Sequence, residues 1–353
     1  MQQPAPLRTA VVGYGLAGRA FHTPLIQHSP EFSLDVIVTG DPERAAAARA
    51  TYPGVTVVPG FEDVIARAAE LDVVVIATPP ELHHPQAKAA LEAGLDVVVD
   101  KPFTVTSAQG EELVALAERL GRTLTVYQNR RWDNAFLTLR GLLADGTLGE
   151  VHRFNAGMER WSPGFSKAWK ASSGVERGGG LLFDLGTHLV DCALQLFGPA
   201  RVVHAEIAAR RPGEPADDDV FLVLEHTPAG AGSPVLSHLS MTLSAAQPGP
   251  VFDVRGSAGS YLKYGFDPQE RQLSAGLRPS DPGYGVEPEE ASGTVGDGTS
   301  VRPVTSEPGS YQEFYRLLAR HVRGEGPAPV EVAGETGPLA GLRLIEEARR
   351  IAL

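Results

Sequence analysis

The feature that most limits what this chain can fold into is a short apolar run, Leu7–Val12, that leads without a break into Gly13-Tyr14-Gly15-Leu16-Ala17-Gly18. The helix-compatible stretch 19–28 follows it. Strand, glycine loop and helix in that order fit a dinucleotide-binding turn. Gly13 permits the sharp turn, Gly15 lets the backbone approach a pyrophosphate, Gly18 lets the helix pack on the strand, and the helix N-terminus offers free N–H groups to the phosphates. Alone, such a loop is a weak signal. Here it is followed by strand-like runs at 34–39, 56–58, 72–78 and 95–100, with helix-like runs at 42–50 and 62–69 between them. This alternation, with strands apolar throughout, predicts an α/β fold whose first part is a doubly wound parallel sheet covered on both faces.

Cofactor choice is read after the second strand, where the chain runs Thr39-Gly40-Asp41-Pro42-Glu43-Arg44. An acid at such a strand end grips a ribose 2′-hydroxyl, whereas a hydroxyl or an arginine suits a 2′-phosphate. Asp41 stands beyond the strand and directly before Pro42, a position that reads as the N-cap of the next helix. Thr39 and Arg44 are then left to hold a phosphate, which inclines the reading to NADP over NAD.

At 353 residues the chain exceeds what one ordinary core needs. The expected division is a dinucleotide-binding domain over 1–125, an α+β domain for substrate and self-association over 126–335, and a terminal helix over 336–353 that packs back near the first domain. With 31 Lys+Arg against 43 Asp+Glu, the formal charge of −12 argues against a nucleic-acid or anionic membrane surface. Cys192 is the only cysteine, which excludes an intrachain disulfide and a Cys-rich zinc site and points to a reducing compartment. The N-terminus shows no charged leader with an apolar core, and no apolar run reads as long enough to span a bilayer. A cytoplasmic protein is expected.

Two places carry candidate chemistry. The fifth strand-like run ends in Asp100-Lys101-Pro102, and ligands of open parallel sheets sit beyond the carboxyl ends of the strands. Lys101 should therefore project into the cleft and favour the alkoxide form of a bound hydroxyl. Further on, Asp184, His188 and Asp191 recur at spacings of four and three within an otherwise apolar segment, so an α-helix would put all three on one face. One reading is a satisfied core network with a helix cap. The other is an imidazole oriented by a carboxylate and ready to take a proton from a hydroxyl.

Together, the glycine loop, Ala77-Thr78-Pro79-Pro80-Glu81-Leu82-His83, Asp100-Lys101-Pro102 and the block from Gly179 to Asp191 resemble the Gfo/Idh/MocA oxidoreductases. The segments 13–25 and 126–138 and Gly309-Ser310-Tyr311 are similar to the branch that contains NADP-dependent scyllo-inositol dehydrogenases. The resemblance implies that Lys101, Asp184 and His188 are the catalytic lysine, aspartate and histidine. It implies substrate contacts for Asp191, Arg131, Trp169 and Lys170, cofactor contacts for Thr78, Pro79, His83, Asp100 and Asn129, and a cis Lys101–Pro102 bond. Two departures stand out: Asp100 where the family usually has glutamate, and Gly40 where NADP-preferring relatives often have arginine.

Beyond residue 126 the strand–helix alternation ends. Strand-like runs at 149–160, 200–210, 219–225, 234–243 and 251–255 predict a large, mostly antiparallel open sheet with the helix of Asp184 on one face. Leaving the other face bare would expose an apolar patch, so pairing of subunits into a homodimer or homotetramer is expected. Residues 278–308, rich in Gly, Pro, Ser, Asp and Glu, read as a long surface loop, and helices are expected at 311–323 and 336–352. Trp161 reads as a core aromatic. No metal site is expected, since no second histidine is suitably spaced near Asp184, His188 and Asp191.

The reading that follows is hydride transfer between nicotinamide and a secondary alcohol of a cyclitol or sugar, with His188 as acid/base. A glycosidase working by transient oxidation and elimination, and a non-catalytic dinucleotide sensor, are the alternatives. Intact Lys101, Asp184 and His188 weigh against the sensor.

Overall fold

A computed structural model describes residues 4–162, 173–211, 213, 215–227 and 232–352. The first half is a six-stranded parallel sheet. Its strands are β1 (Leu7–Val12), β2 (Phe32–Val38), β3 (Thr56–Val58), β4 (Val73–Ile76), β5 (Asp96–Val99) and β6 (Leu124–Val126), in the order β3-β2-β1-β4-β5-β6. Val73 to Ile76 and Val97 to Val99 have no solvent exposure, as two covered faces require. The covering helices are α1 (Thr23–His28), α2 (Pro42–Thr51), α3 (Glu62–Ala66), α4 (Pro80–Glu92) and α5 (Ser107–Leu120). Thr106 caps α5 in a box with Gln109, and Asp41 caps α2 by accepting from Glu43 N and Arg44 N.

The helix after the glycine loop is not uniform. Gly18–His22 forms a π-helical turn before α1 begins at Thr23, a widening that puts side chains off the ordinary helical stripe.

The second half is built on an eight-stranded sheet. Its strands are β7 (Val151–Glu159), β8 (Ala200–Ala208), β9 (Asp219–His226), β10 (Leu236–Thr242), β11 (Phe252–Gly256), β12 (Ser260–Lys263), β13 (Gly293–Gly296) and β14 (Val301–Val304), in the order β14-β13-β12-β11-β7-β10-β9-β8. All neighbours are antiparallel except β10 and β7. The expected surface loop at 278–308 is thus corrected, because it contains β13 and β14. Short strands among Gly and Pro lack the apolar runs that would announce them, and here they borrow order from pairing with β12.

Helices α6 (Asn134–Ala144), α7 (Thr187–Phe197), α8 (Gln269–Ser274), α9 (Gln312–Val322) and α10 (Pro338–Ala352) complete the chain. Helix α7 lies on the inner face of the second sheet, against β7 and β10. The stretch Val175–Phe197 is long and apolar enough, by length and composition, to cross a bilayer, contrary to the sequence reading; most of it is buried inside the fold.

Side chains on the sheet face turned from α7 alternate in character. Phe221, Val223, Leu236 and Leu262 share that face with Arg153, Asn155, Arg201, Glu206, Glu225, His238, Asp253 and Arg255. The face is a mixed surface, on which the expected apolar side chains are interspersed with charged ones. Trp161 is also corrected: it is 58 % exposed, at a single bridge to Ser244.

Helix α10 joins the two halves. Glu346 accepts from Ser107 N and Ser107 Oγ at the start of α5, and Arg343 pairs with Glu111. Further along α10, Arg349 pairs with Asp217 at 2.7 Å.

Candidate active site

The glycine loop meets the steric demands of a phosphate cradle. Gly13 has φ +97°, and a Cβ there would stand 2.4 Å from Ala77 O. A Cβ on Gly18 would stand 1.9 Å from Gly13 O, whereas one on Gly15 would meet nothing within 4 Å. The loop is therefore closed against the sheet at Gly13 and Gly18 and open at Gly15, the position at which loops of this pattern admit a pyrophosphate. Of the other loop residues, Leu16 is exposed and Tyr14 is buried.

At the end of β2, Thr39 is nearly buried and its Oγ1 accepts weakly from Asp41 N at 3.4 Å. Arg44 is exposed, 3.6 Å from Asp41. Asp41 is occupied as a helix cap, and Thr39 and Arg44 flank it on the rim where a ribose would lie.

Pro79 precedes α4, and Thr78 Oγ1 donates to Gln86 at 2.7 Å. His83 is buried with Nε2 2.8 Å from Thr78 O and Nδ1 2.8 Å from Pro102 O. Both ring nitrogens face backbone carbonyl oxygens, so His83 ties the end of the Thr78 loop to the cis Lys101–Pro102 turn. Asn129 is buried at the start of a 3₁₀ turn, Asn129–Trp132, just past β6.

Lys101 follows β5 at the carboxyl edge of the sheet, with a cis bond to Pro102. Asp100 is partly buried and its Oδ1 accepts from Lys101 N at 2.7 Å. Lys101 Nζ donates to Asp184 Oδ1 and to Asp184 O, both at 2.8 Å.

This contact changes the roles expected within Asp184, His188 and Asp191. Leu182–Gly186 is a π-helical turn, and α7 starts only at Thr187. The wider turn breaks the four-residue stacking that a continuous α-helix would impose. Asp184 turns to Lys101, and His188 Nδ1 is buried with no hydrogen-bond partner among the described residues. The expected Asp184–His188 bond is absent there. Burial, and then the positive charges of Lys101 and Arg130, hold the His188 imidazole well below its ordinary pKa, against the opposing pull of Asp184. Its neutral form is therefore the resting one.

Asp191 shares α7 with His188 and is almost fully buried. Arg131 grips it through two bonds, Nε to Oδ2 at 2.9 Å and Nη2 to Oδ1 at 2.6 Å, the paired geometry that guanidinium and carboxylate planes favour. Trp169 and Lys170 lie outside the described residues. Among the described residues, no three His, Cys, Asp or Glu side chains gather as a metal-ligand set.

One buried histidine beside this site was not singled out by sequence reasoning. His22, in the π-helical turn after the glycine loop, has its Nε2 3.7 Å from Asp100 Oδ2. Its signals in the sequence are its place within segment 13–25 and its position at the close of the first turns after the glycine loop.

Residues 7–128 match the oxidoreductase family with an NAD-binding Rossmann fold, and residues 136–262 match the GFO/IDH/MocA C-terminal domain. The chain is 40 % identical over 326 residues to the uncharacterized oxidoreductase YdgJ of Escherichia coli (strain K12), covering 92 % of this chain and 91 % of that protein. It is 33 % identical over 346 residues to the NADP(+)-linked scyllo-inositol 2-dehydrogenase IolW of Bacillus subtilis (strain 168), covering 97 % and 92 %. The solved structure of putative oxidoreductase yvaA from Bacillus subtilis superposes with a TM-score of 0.90 at 30 % identity, over 100 % of this chain and 97 % of that one. A glycine cradle open at its second glycine, a lysine at the end of the fifth strand and a histidine on the facing helix, held in one chain by these two matched segments, make the protein a member of the Gfo/Idh/MocA oxidoreductases.

Proposed function

We propose that the protein is an NAD(P)-dependent dehydrogenase acting on a secondary alcohol of a cyclitol or sugar, with His188 as the acid/base. The observation that carries this reading is Lys101 paired with Asp184 and, on the same helical segment as Asp184, a buried His188 whose imidazole is held in its neutral form. The likeness to the scyllo-inositol enzyme supports the substrate class.

When bound along Gly13, Gly15 and Gly18, with Tyr14, Leu16, Ala17, Thr78 and Pro79 beside it, the dinucleotide supplies a hydride acceptor. His188 takes the hydroxyl proton, which its neutral form permits. Lys101 spends two of its N–H groups on Asp184 and turns the third to the substrate oxygen, where it stabilises developing negative charge. Asp184 thereby orients the lysine and not the imidazole. Asp191, fixed by Arg131, presents a rigid edge to the remaining hydroxyls, and a fixed geometry is what shortens the approach to reaction. Trp169 and Lys170 are assigned to the substrate side by family likeness.

Thr39 and Arg44 favour NADP, as does the cofactor in the name of the relative IolW. The division at 1–125, 126–335 and 336–353 assigns cofactor to the first sheet and substrate to the second. Subunits pair through the outer face of the second sheet, and the compartment is cytoplasmic, consistent with a lone buried Cys192.

A panel of inositols and sugars offered with NAD and with NADP, followed by reduced-nicotinamide absorbance, tests the reading. Turnover of a polyol with net cofactor reduction is expected. Failure of every polyol, or cofactor that stays bound through purification and supports glycoside cleavage without net reduction, overturns it in favour of the glycosidase.

A further inference from the structure

His22 is fully buried in a box of aromatic rings, 4.5 Å from the Tyr127 centroid and edge-on to Tyr315. Its Nδ1 lies 2.6 Å from the Tyr315 hydroxyl. Its Nε2 has no hydrogen bond among the described residues and faces Asp100 Oδ2 at 3.7 Å. An apolar ring of the same size would fill this box without the cost of desolvating two nitrogens. An imidazole earns its place there by answering a charge, and Asp100 is the charge it meets.

Asp100 divides its carboxylate. Oδ1 accepts from Lys101 N, and Oδ2 faces His22. Despite burial, contact with His22 and the charge of Lys101 hold this carboxyl below its usual range. A short aspartate gripping the next residue's N–H through one oxygen is free to rotate about its last side-chain bond. A second contact stops that rotation, in the way outer partners fix the orientation of groups that act directly.

We propose that His22 is a positioning residue for the catalytic lysine: it locks Asp100, and Asp100 through the Lys101 N–H sets the lysine ammonium on Asp184 and toward the substrate oxygen. The inference rests on Lys101 being the group that faces that oxygen. Because His22 ends the π-helical turn that opens at Gly18, it also ties the phosphate cradle to the reacting lysine. Asp100, Tyr127 and Tyr315 are the titratable groups that face His22, and Lys101 and His83 are the others that act on Asp100.

The test uses the full-length protein and two substitutions. His22→Phe keeps the aromatic packing and removes both nitrogens, and His22→Gln returns an amide near Nε2. The first readout needs no substrate: the rate at which acetic anhydride labels Lys101 Nζ, relative to exposed Lys88, measured by mass spectrometry. Loosening of the lysine in His22→Phe should raise that ratio about threefold, and with an identified alcohol should lower kcat about tenfold while KM changes less than about twofold, a small share of what misplacement can cost. His22→Gln should restore both.

An unchanged labelling ratio in folded His22→Phe, or equal behaviour of the Phe and Gln variants, overturns the proposal. If His22→Phe does not fold, Tyr315→Phe, which removes the hydroxyl at Nδ1, carries the same measurement: a raised ratio is expected, and a wild-type ratio overturns the proposal. Full turnover by Lys101→Ala would instead sink the reading of the reaction, and the labelling ratio would still decide the role of His22.

Discussion

Lys101 Nζ and Asp184 Oδ1 lie 2.8 Å apart, across the junction of the two sheets, while His188 on the same helical segment as Asp184 keeps a buried and unpartnered Nδ1. The carboxylate engages the lysine, while burial keeps the imidazole neutral. Removal of either partner in the chemistry should therefore be severe. Lys101→Ala and His188→Ala are each expected to lower kcat/KM by about 10²–10⁴-fold, the usual worth of a positioned acid or base. Dinucleotide affinity, measured by fluorescence titration, should change little, and near wild-type turnover in either variant would contradict the roles assigned.

The low proton affinity of His188 has a sign that pH can read. The folded-state pKa lies well below 6.5, so the unfolded chain binds the extra proton first as pH falls. Stability contributed by the neutral imidazole is full above pH of about 6.5 and is lost progressively below it. The same shift keeps the base form available on the acid side. The acid limb of kcat/KM is expected below the ordinary histidine value, and a limb at or above about 6.5 would show that His188 is not the base.

Arg131 and Asp191 form a closed pair with little exposure on either side chain. Removing one partner strands a buried charge, so Arg131→Met should cost about 3–5 kcal/mol in chemical denaturation. Replacing both, as Arg131→Met with Asp191→Leu, should recover much of that loss while still impairing turnover. A double variant no more stable than the single one would mean that packing, not charge, sets the cost.

Cofactor choice is tested at the end of β2. Arg44→Ala should weaken NADP more than NAD, because only the former carries the 2′-phosphate that an arginine can meet. Equal losses, or tighter wild-type binding of NAD, would reverse the preference.

The mixed outer face of the second sheet makes self-association measurable. Sedimentation at neutral pH should give at least twice the chain mass, and Leu236→Glu should reduce it by setting a second acid beside Glu225 on that face. A monomer persisting at high concentration would leave that face without the assigned partner.

Much of this was legible in residues alone, for physical reasons. Strand β4 and the stretch Val97–Val99 of β5 are unbroken apolar runs because both sheet faces are covered, and Gly13 and Gly18 announce themselves because no Cβ fits there. Asp41 reads correctly as a cap because its neighbours are Pro42 and two free helix N–H groups. What escaped was set by distant contacts. The π-helical turn at Leu182–Gly186 has no periodic signature of its own, so Asp184 reads as the neighbour of His188 when it belongs to Lys101. His22 meets Asp100 from 78 residues away in the chain, and only the folded sheet brings them together. Strands β13 and β14 are ordered by β12, not by their own composition.

The last helix bears on how this cleft can move. Glu346 holds the start of α5 while Arg349, less than one turn further, holds Asp217 beside the segment that carries Asp184. A door hung on α10 cannot swing freely, since its two leaves are latched to the same post. Opening by a few ångströms would have to slide one set of contacts along α10 or break the partly buried Arg349–Asp217 pair, which favours a shear over a hinge, and clipping the C-terminus is expected to loosen the cleft without touching any group in it.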